Sequence, residues 1–400
     1  MRAAKVNKIN KNRIMNFVFI SPHFPPSFYH FSVELRRAGA NVLAIGDAPY
    51  NEFRQELKDA ITEYCQIDMM NYDTVYRTMA YFASKYGKID RIDSHNEFWL
   101  ALEAQLRVDF NIFGQRPEDL LMNQSKLGMK KVFHDAGVPC AEAQLIANPD
   151  ILGDFVRRYG FPLVIKPEIG VGARNVYKVI NEEHLNHILR DLPPGYIIEP
   201  FIEGKIFTFD GIADRNGEIM YCASFELSDN VFDILNGQKD MFYYYSRNID
   251  PVLEKYGRHT VKGFNVRERF FHCEFFRRPD GSYMAIEINV RPPGGFSIDM
   301  LNYVADIDLF KVWAELVVCN KDVFIYKRKY NVSTVSRRDH LSYLQSPQDI
   351  LRELGDIVVN YARIPDAFAA IMGNDTFILR HKDMKTLFSA IEFVKAKILI

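Results

Sequence analysis

Short apolar runs alternate with amphipathic stretches through the first quarter of the chain, and that alternation restricts the fold more than any other feature. Asn16–Ile20, Asn41–Ile45 and Asp90–Asp93 read as buried strands, while Phe28–Ala38, Thr74–Tyr86 and Glu97–Val108 read as helices. Such a succession predicts a doubly wound parallel α/β domain over residues 15–115. The loop after its first strand is Ser21-Pro22-His23-Phe24-Pro25-Pro26. It lacks the glycines that let a dinucleotide pyrophosphate approach the backbone, so a dinucleotide-binding reading loses its main support. The crevice at the carboxyl ends of these strands remains a place for substrate.

From about residue 115 the pattern changes. A helix over Ser125–Ala136 is followed by strands and helices up to Glu199, a strand-rich stretch over 201–320, and a closing segment 325–400 that ends in a helix, Met384–Lys397. Residues 1–14 read as a leader, with Met15 as an alternative start. Lys and Arg number 50 against 51 Asp and Glu, so no global field recruits nucleic acid or anionic lipid. The five cysteines (Cys65, Cys140, Cys222, Cys273, Cys319) show neither CxxC spacing nor a Cys/His cluster. Reduced thiols in a cytoplasmic protein fit that pattern better than disulfides or a zinc site. No apolar run approaches the roughly 18 residues of a membrane span.

The stretch 269–291 carries most of the chemistry. Alternation sets Phe270, His272, Glu274 and Phe276 on one face of a strand. After the turn Arg278-Pro279-Asp280-Gly281, Met284, Ile286, Ile288 and Val290 share one face and Glu287, Asn289 and Arg291 the other. A two-residue Asp-Gly hairpin puts Glu274 opposite Glu287; a bulged Pro-Asp-Gly turn shifts the register by one. Opposed carboxylates repel unless a cation lies between them, and Glu, Glu and Asn oxygens suit Mg²⁺, with Mn²⁺ as a substitute. A solvated strand face is the plain alternative.

Two lysines sit where an ammonium is poorly placed without an anion. Lys166 ends the apolar run Leu163–Lys166 and precedes Gly170 and Gly172, whose backbone N–H groups can close around phosphate oxygens. Lys126 begins the inward stripe of its helix, in the first turn, where the dipole disfavours a cation. For Lys166 the plain alternative is the commonplace strand that ends in Lys before a glycine turn; for Lys126 it is a lysine snorkelling to water. A fourth signal, Tyr196–Gly204, is an apolar strand broken by Glu199 and ending in a glycine bend.

In this order the four signals resemble the ATP-grasp superfamily, with its core over residues 116–324 and the smaller, lid-like subdomain at about 140–200. The implied fold is an N-terminal doubly wound parallel α/β domain, an ATP-grasp domain of two α+β subdomains, and a small C-terminal α+β subdomain over 325–400. The resemblance implies ATP and Mg²⁺ as cofactors. Lys126 and Lys166 would hold phosphates, with Gly170 and Gly172 in the covering loop. Glu199, Pro200, Phe201 and Ile202 would form the adenine hinge, and Asp210 would take the ribose in place of the glutamate that relatives carry where this chain has Ile206. Glu274, Glu287 and Asn289 would bind the metal, and Arg291 would neutralise the phosphoryl group in transfer. The implied activity is carboxylate–amine ligation through an acyl phosphate on small, amino-acid-like substrates. Glu97 would hold the amine, Arg247 and Arg267 the carboxylate, and the Gly294-Gly295 turn would offer backbone N–H groups. Pro292-Pro293-Gly294-Gly295-Phe296 replaces the run that handles bicarbonate in biotin carboxylase. A small-molecule kinase and a non-catalytic nucleotide-binding regulator remain as alternatives. A homodimer is expected by analogy, with neither nucleic acid nor membrane as a partner.

Overall fold

The computed structural model describes residues 13–147, 149–170, 175–228, 242–321, 323–364, 369 and 373–398. It divides into two compact units: one runs to Pro117 and takes in Phe310–Lys321, and the other comprises Glu118–Leu309 and Asp322–Ile400.

In the first unit the chain runs β1 (Asn16–Ile20), α1 (Tyr29–Arg37), β2 (Asn41–Gly46), α2 (Gln55–Ala60), β3 (Glu63–Gln66), α3 (Tyr72–Tyr86), β4 (Arg91–Asp93) and α4 (Leu100–Asp109). The strands form a parallel sheet in the order β3-β2-β1-β4. Every residue of β1 is buried, which is why it reads as a continuous apolar run. Strand β3 (Glu-Tyr-Cys-Gln) and helix α2 escape a pattern reading because an edge strand need not be apolar. The later segment 310–321 closes one side, with Trp313 packed edge-on against Phe17 at 5.6 Å between ring centres.

The second unit begins with α5 (Pro117–Gln124) and α6 (Lys126–Asp135), then β5 (Gln144–Leu145), α7 (Pro149–Tyr159), β6 (Leu163–Pro167), β7 (Tyr177–Val179), α8 (Glu182–Arg190) and β8 (Tyr196–Pro200). These four strands form a small sheet in the order β5-β8-β6-β7. There follow β9 (Lys205–Ala213), β10 (Ile219–Leu227), β11 (Phe242–Ser246), α9 (Pro251–Gly263), β12 (Arg269–Arg277), β13 (Tyr283–Asn289) and α10 (Ser297–Ala305) and, after α11 (Leu309–Cys319), which belongs almost wholly to the first unit, β14 (Asn331–Arg337), α12 (Pro347–Leu354), β15 (Val358–Arg363), β16 (Asp375–His381) and α13 (Met384–Lys395). The large sheet has eight strands ordered β13-β12-β9-β10-β11-β14-β16-β15. The closing segment is therefore not a separate layer: its strands extend the sheet that carries the hairpin, through antiparallel pairing of β11 with β14. Among the described residues no helix is long and apolar enough to cross a membrane.

The core behind the hairpin is built from Phe209, Phe271, Cys273 and Phe275 against α6 and α9. Gly257 of α9 lets that helix approach closely, since a Cβ there would stand 2.3 Å from the Phe209 ring.

Candidate active site

The hairpin reaches the register of a two-residue turn by a different route. Its turn spans one residue more: Arg278 N–H donates to Ser282 O (2.8 Å) and Gly281 N–H to Arg278 O (2.9 Å), with Gly281 at φ 83°. The shift pairs Arg277 with Tyr283 and Phe275 with Ala285. A bulge at residue 286 then restores the lost step, so Glu274 stands opposite Glu287 and His272 opposite Asn289. The bulge also corrects the expected faces of β13. Tyr283 and Ala285 join the core on one side of it and Ile288 and Val290 on the other, while Met284 and Ile286 line the adjoining cleft.

That cleft, about 1790 Å³, lies within the second unit, between the small sheet and the hairpin end of the large one. One end is apolar with a charged floor. Val164, Pro200, Phe201, Ile202, Met284 and Ile286 line it. The buried Glu199 lies beneath, with Lys166 Nζ 2.5 Å from Oε1 and Lys130 Nζ 3.0 Å from Oε2. Burial pushes the Glu199 carboxyl up, but Lys166 and Lys130 together hold it below the ordinary glutamate range. Lys130 also donates to Ala141 O at 2.7 Å. Lys130, Met284 and Ile286 were missed in the sequence; the first lies one turn along α6 from Lys126, and the other two were masked by an alternation that the bulge interrupts.

At the other end Lys126 is buried on the stripe it shares with Met129 and Phe133. Burial lowers its pKa, opposed chiefly by Glu287. Its Nζ donates to Gly170 O at 2.9 Å, and its backbone N–H to Glu168 O at 3.0 Å. The Glu168 carboxylate accepts from Ser125 Oγ and from Leu127 N–H at the helix start, which places an anion where the dipole favours one. Gly170 lines the cleft; Gly172 lies outside the described residues.

Glu274 and Glu287 line the same cleft. Asn289 Nδ2 donates to Glu287 Oε1 at 3.1 Å. Burial first and then Glu274 push the Glu287 carboxyl up. For Glu274 burial acts in the same sense, but His272, Arg291 and Lys166 outweigh it and keep that carboxyl low. Among the described residues no three His, Cys, Asp or Glu side chains converge as a protein-only metal cage. Two carboxylates and an amide oxygen beside two lysines fit Mg²⁺ nonetheless, because this ion typically takes one or two carboxylates and completes its shell with phosphates and water. The mutual repulsion of the two glutamates is the observation that favours a cation there.

Other expected residues fall elsewhere. Asp210 is fully buried and its oxygens are taken by His272, Tyr245 and Thr208, so it cannot reach a ribose. Arg247 and Arg267 are exposed and do not line the cleft. Arg267 donates to Asn265 Oδ1 at 2.7 Å, just before the end of β12 remote from the turn. Arg291 does not line the cleft and donates to Pro292 O at 2.8 Å, but it stands near enough to Glu274 to help hold that carboxyl low. Gly294 and Gly295 are exposed just before α10. Glu97 opens the short turn Glu97–Trp99 in the first unit.

Residues 159–299 match the model of the ATP-grasp domain. That stretch resembles an ATP-grasp domain. The match takes in Lys166, the segment 199–202 and the whole hairpin, while Lys126 lies before it. The chain is 25% identical over 252 residues to the L-arginine-specific L-amino acid ligase of Bacillus subtilis, a match that covers 60% of each protein. Its fold is similar to the crystal structure of an L-amino acid ligase from Bacillus licheniformis (TM-score 0.72, 14% identity, 95% of this chain and 96% of that one). It is also similar to N5-carboxyaminoimidazole ribonucleotide synthetase from Thermotoga maritima (TM-score 0.68, 16% identity, 96% and 98%).

Proposed function

We propose that this protein is an ATP- and Mg²⁺-dependent carboxylate–amine ligase acting on small, amino-acid-like substrates. The observation that carries the proposal is the meeting of three groups in one cleft. These are a hinge with a buried carboxylate for a base, two lysines for phosphates, and the Glu274 and Glu287 carboxylates, with Asn289 hydrogen-bonded to the latter from behind the cleft wall.

In this assignment the adenine lies against Pro200–Ile202, Met284 and Ile286, with its amino edge toward Glu199. Lys126 and Lys166 bind phosphate oxygens; Lys166 exchanges part of its contact with Glu199 for them. Glu274, Glu287 and Asn289 would hold Mg²⁺, which supplies charge neutralisation on the phosphates when bound. Arg291 neutralises the transferring phosphoryl group, because phosphoryl transfer depends on positioning and charge compensation. A substrate carboxylate oxygen attacks the γ-phosphorus and ADP leaves, giving an acyl phosphate. The amine nitrogen then attacks the acyl carbon, phosphate leaves, and the nitrogen loses a proton to give an amide. The resemblance to amino acid ligases supports amino-acid-like substrates, with the Gly294-Gly295 turn for the acid.

The test is ADP release across a panel of amino-acid pairs, with mass spectrometry of the product. The ligase predicts sustained, multiple-turnover ADP release only when an acid and an amine are both present, with one amide formed per ADP. A stable phosphorylated product that accumulates without any amine would replace the ligase with a kinase.

A further inference from the structure

Behind the hairpin carboxylates lies a second layer of buried polar side chains. His272 Nε2 is 3.0 Å from Glu274 Oε1, and its Nδ1 is 2.7 Å from Asp210 Oδ1. Asp210 in turn accepts from Thr208 Oγ1 at 2.7 Å and Tyr245 OH at 2.8 Å. The ring is stacked against Phe225, 6.0 Å between centres. The ladder explains the placement. Side chains two apart on a strand share a face, and His272 on β12, Asp210 on β9 and Glu274 on β12 fall on the face that lines the cleft, since Asp210 is the cross-strand partner of His272.

Such a cluster is costly in a core. A carboxylate with no exposure must be compensated by donors, and an apolar residue at 272 would spare both the desolvation and the need for Asp210. What the arrangement accomplishes is seen at its outer end. His272 secures one oxygen of Glu274, while Asn289, its cross-strand partner, secures one oxygen of Glu287. Each metal-facing carboxylate is thus held through Oε1 by an N–H group two residues away on its own strand. Its Oε2 would be the oxygen offered to an ion. Glu274 needs the restraint, because Glu287 directly opposite would otherwise drive it to another rotamer.

We propose that Asp210 and His272 form a positioning pair for Glu274: Asp210 fixes the imidazole, and the imidazole fixes which oxygen of Glu274 meets the divalent ion. The proposal rests on the assignment of this cleft as a Mg²⁺–nucleotide site. Neither residue lines the cleft, so the role is one of orientation. Outer partners of metal ligands typically govern about 10–100-fold of metal affinity.

The experiment measures Mn²⁺ affinity by electron paramagnetic resonance with saturating ADP, alongside ADP affinity in EDTA, for the full-length wild-type protein and three variants. His272→Leu and Asp210→Asn are expected to weaken Mn²⁺ binding about 10–100-fold. His272→Gln, whose amide N–H can still reach Glu274, should recover part of the loss. ADP affinity in EDTA should be unchanged in all three. Wild-type Mn²⁺ affinity in His272→Leu would overturn the positioning role while leaving the site intact. So would a loss of Mn²⁺ binding matched by an equal loss of ADP affinity in EDTA. Failure of the wild-type protein to bind Mn²⁺ with ADP would overturn the site assignment itself, and the pair's role with it.

Discussion

Glu274 and Glu287 face each other across the β12–β13 ladder, two carboxylates at directly paired positions on the wall of one cleft. Like charges so placed destabilise a sheet by about 0.2–1 kcal/mol, a cost that a bound cation removes. Glu287→Gln should therefore raise the melting temperature of the metal-free protein slightly. The same variant should lower Mg²⁺-dependent turnover by more than about 100-fold, beyond the effect of losing an outer partner. Thermal melts in EDTA and steady-state ADP release test the two halves separately.

Glu199 compensates one buried and one half-buried ammonium group at once, Lys166 at 2.5 Å and Lys130 at 3.0 Å. Removing one member of a buried ionic cluster leaves the others uncompensated, which typically costs about 3–5 kcal/mol. Denaturant melts of Glu199→Ala should show a loss of that order. ATP affinity should fall with it, because both lysines are released from the cleft floor.

Gly257 is fixed by closeness to Phe209 rather than by backbone conformation. A methyl group there would stand 2.3 Å from two ring atoms, so Gly257→Ala forces α9 away from the large sheet. Overpacking of this kind typically costs about 1–3 kcal/mol. Chemical denaturation checks the size, and the effect should appear in stability before it appears in nucleotide affinity.

Asp299 gives a pH signature independent of the metal site. Burial pushes its carboxyl up to about 6 from the ordinary 3.8, and Asp308 adds to the shift. The folded protein therefore holds this proton more tightly than the unfolded chain. Stability from this group rises as pH falls through about 6 and levels off below 3.8. At pH above 7 the ionised form is a burden, and Asp299→Asn should stabilise the protein by on the order of 2 kcal/mol. The advantage should shrink as pH is lowered toward the unfolded value. Melts of both proteins across this range measure it.

What was legible in the sequence depended on how local the determinant is. The strands and helices around β1, α1 and β4, and the lysine stripe of α6, follow from periodicity within one element. The pairing of Glu274 with Glu287 was also legible, although two opposite shifts, in the turn and at residue 286, combine to produce it. An uninterrupted alternation assigned Met284 and Ile286 to the core, whereas the bulge turns them into cleft walls. Asp210 illustrates a different limit. One residue in a strand does not disclose whether it points to a ligand or to a histidine 62 positions later. The closing segment 325–400 read as short strands and a final helix, but which sheet those strands join was not legible, because that sheet begins more than a hundred residues earlier.

The most direct measurement is the anomalous difference density of Mn²⁺ in crystals grown with ADP. A peak bounded by Glu274, Glu287 and Asn289, with the base against Pro200–Ile202, is the predicted result. A peak remote from these three side chains, or a nucleotide bound away from this cleft, would contradict the account.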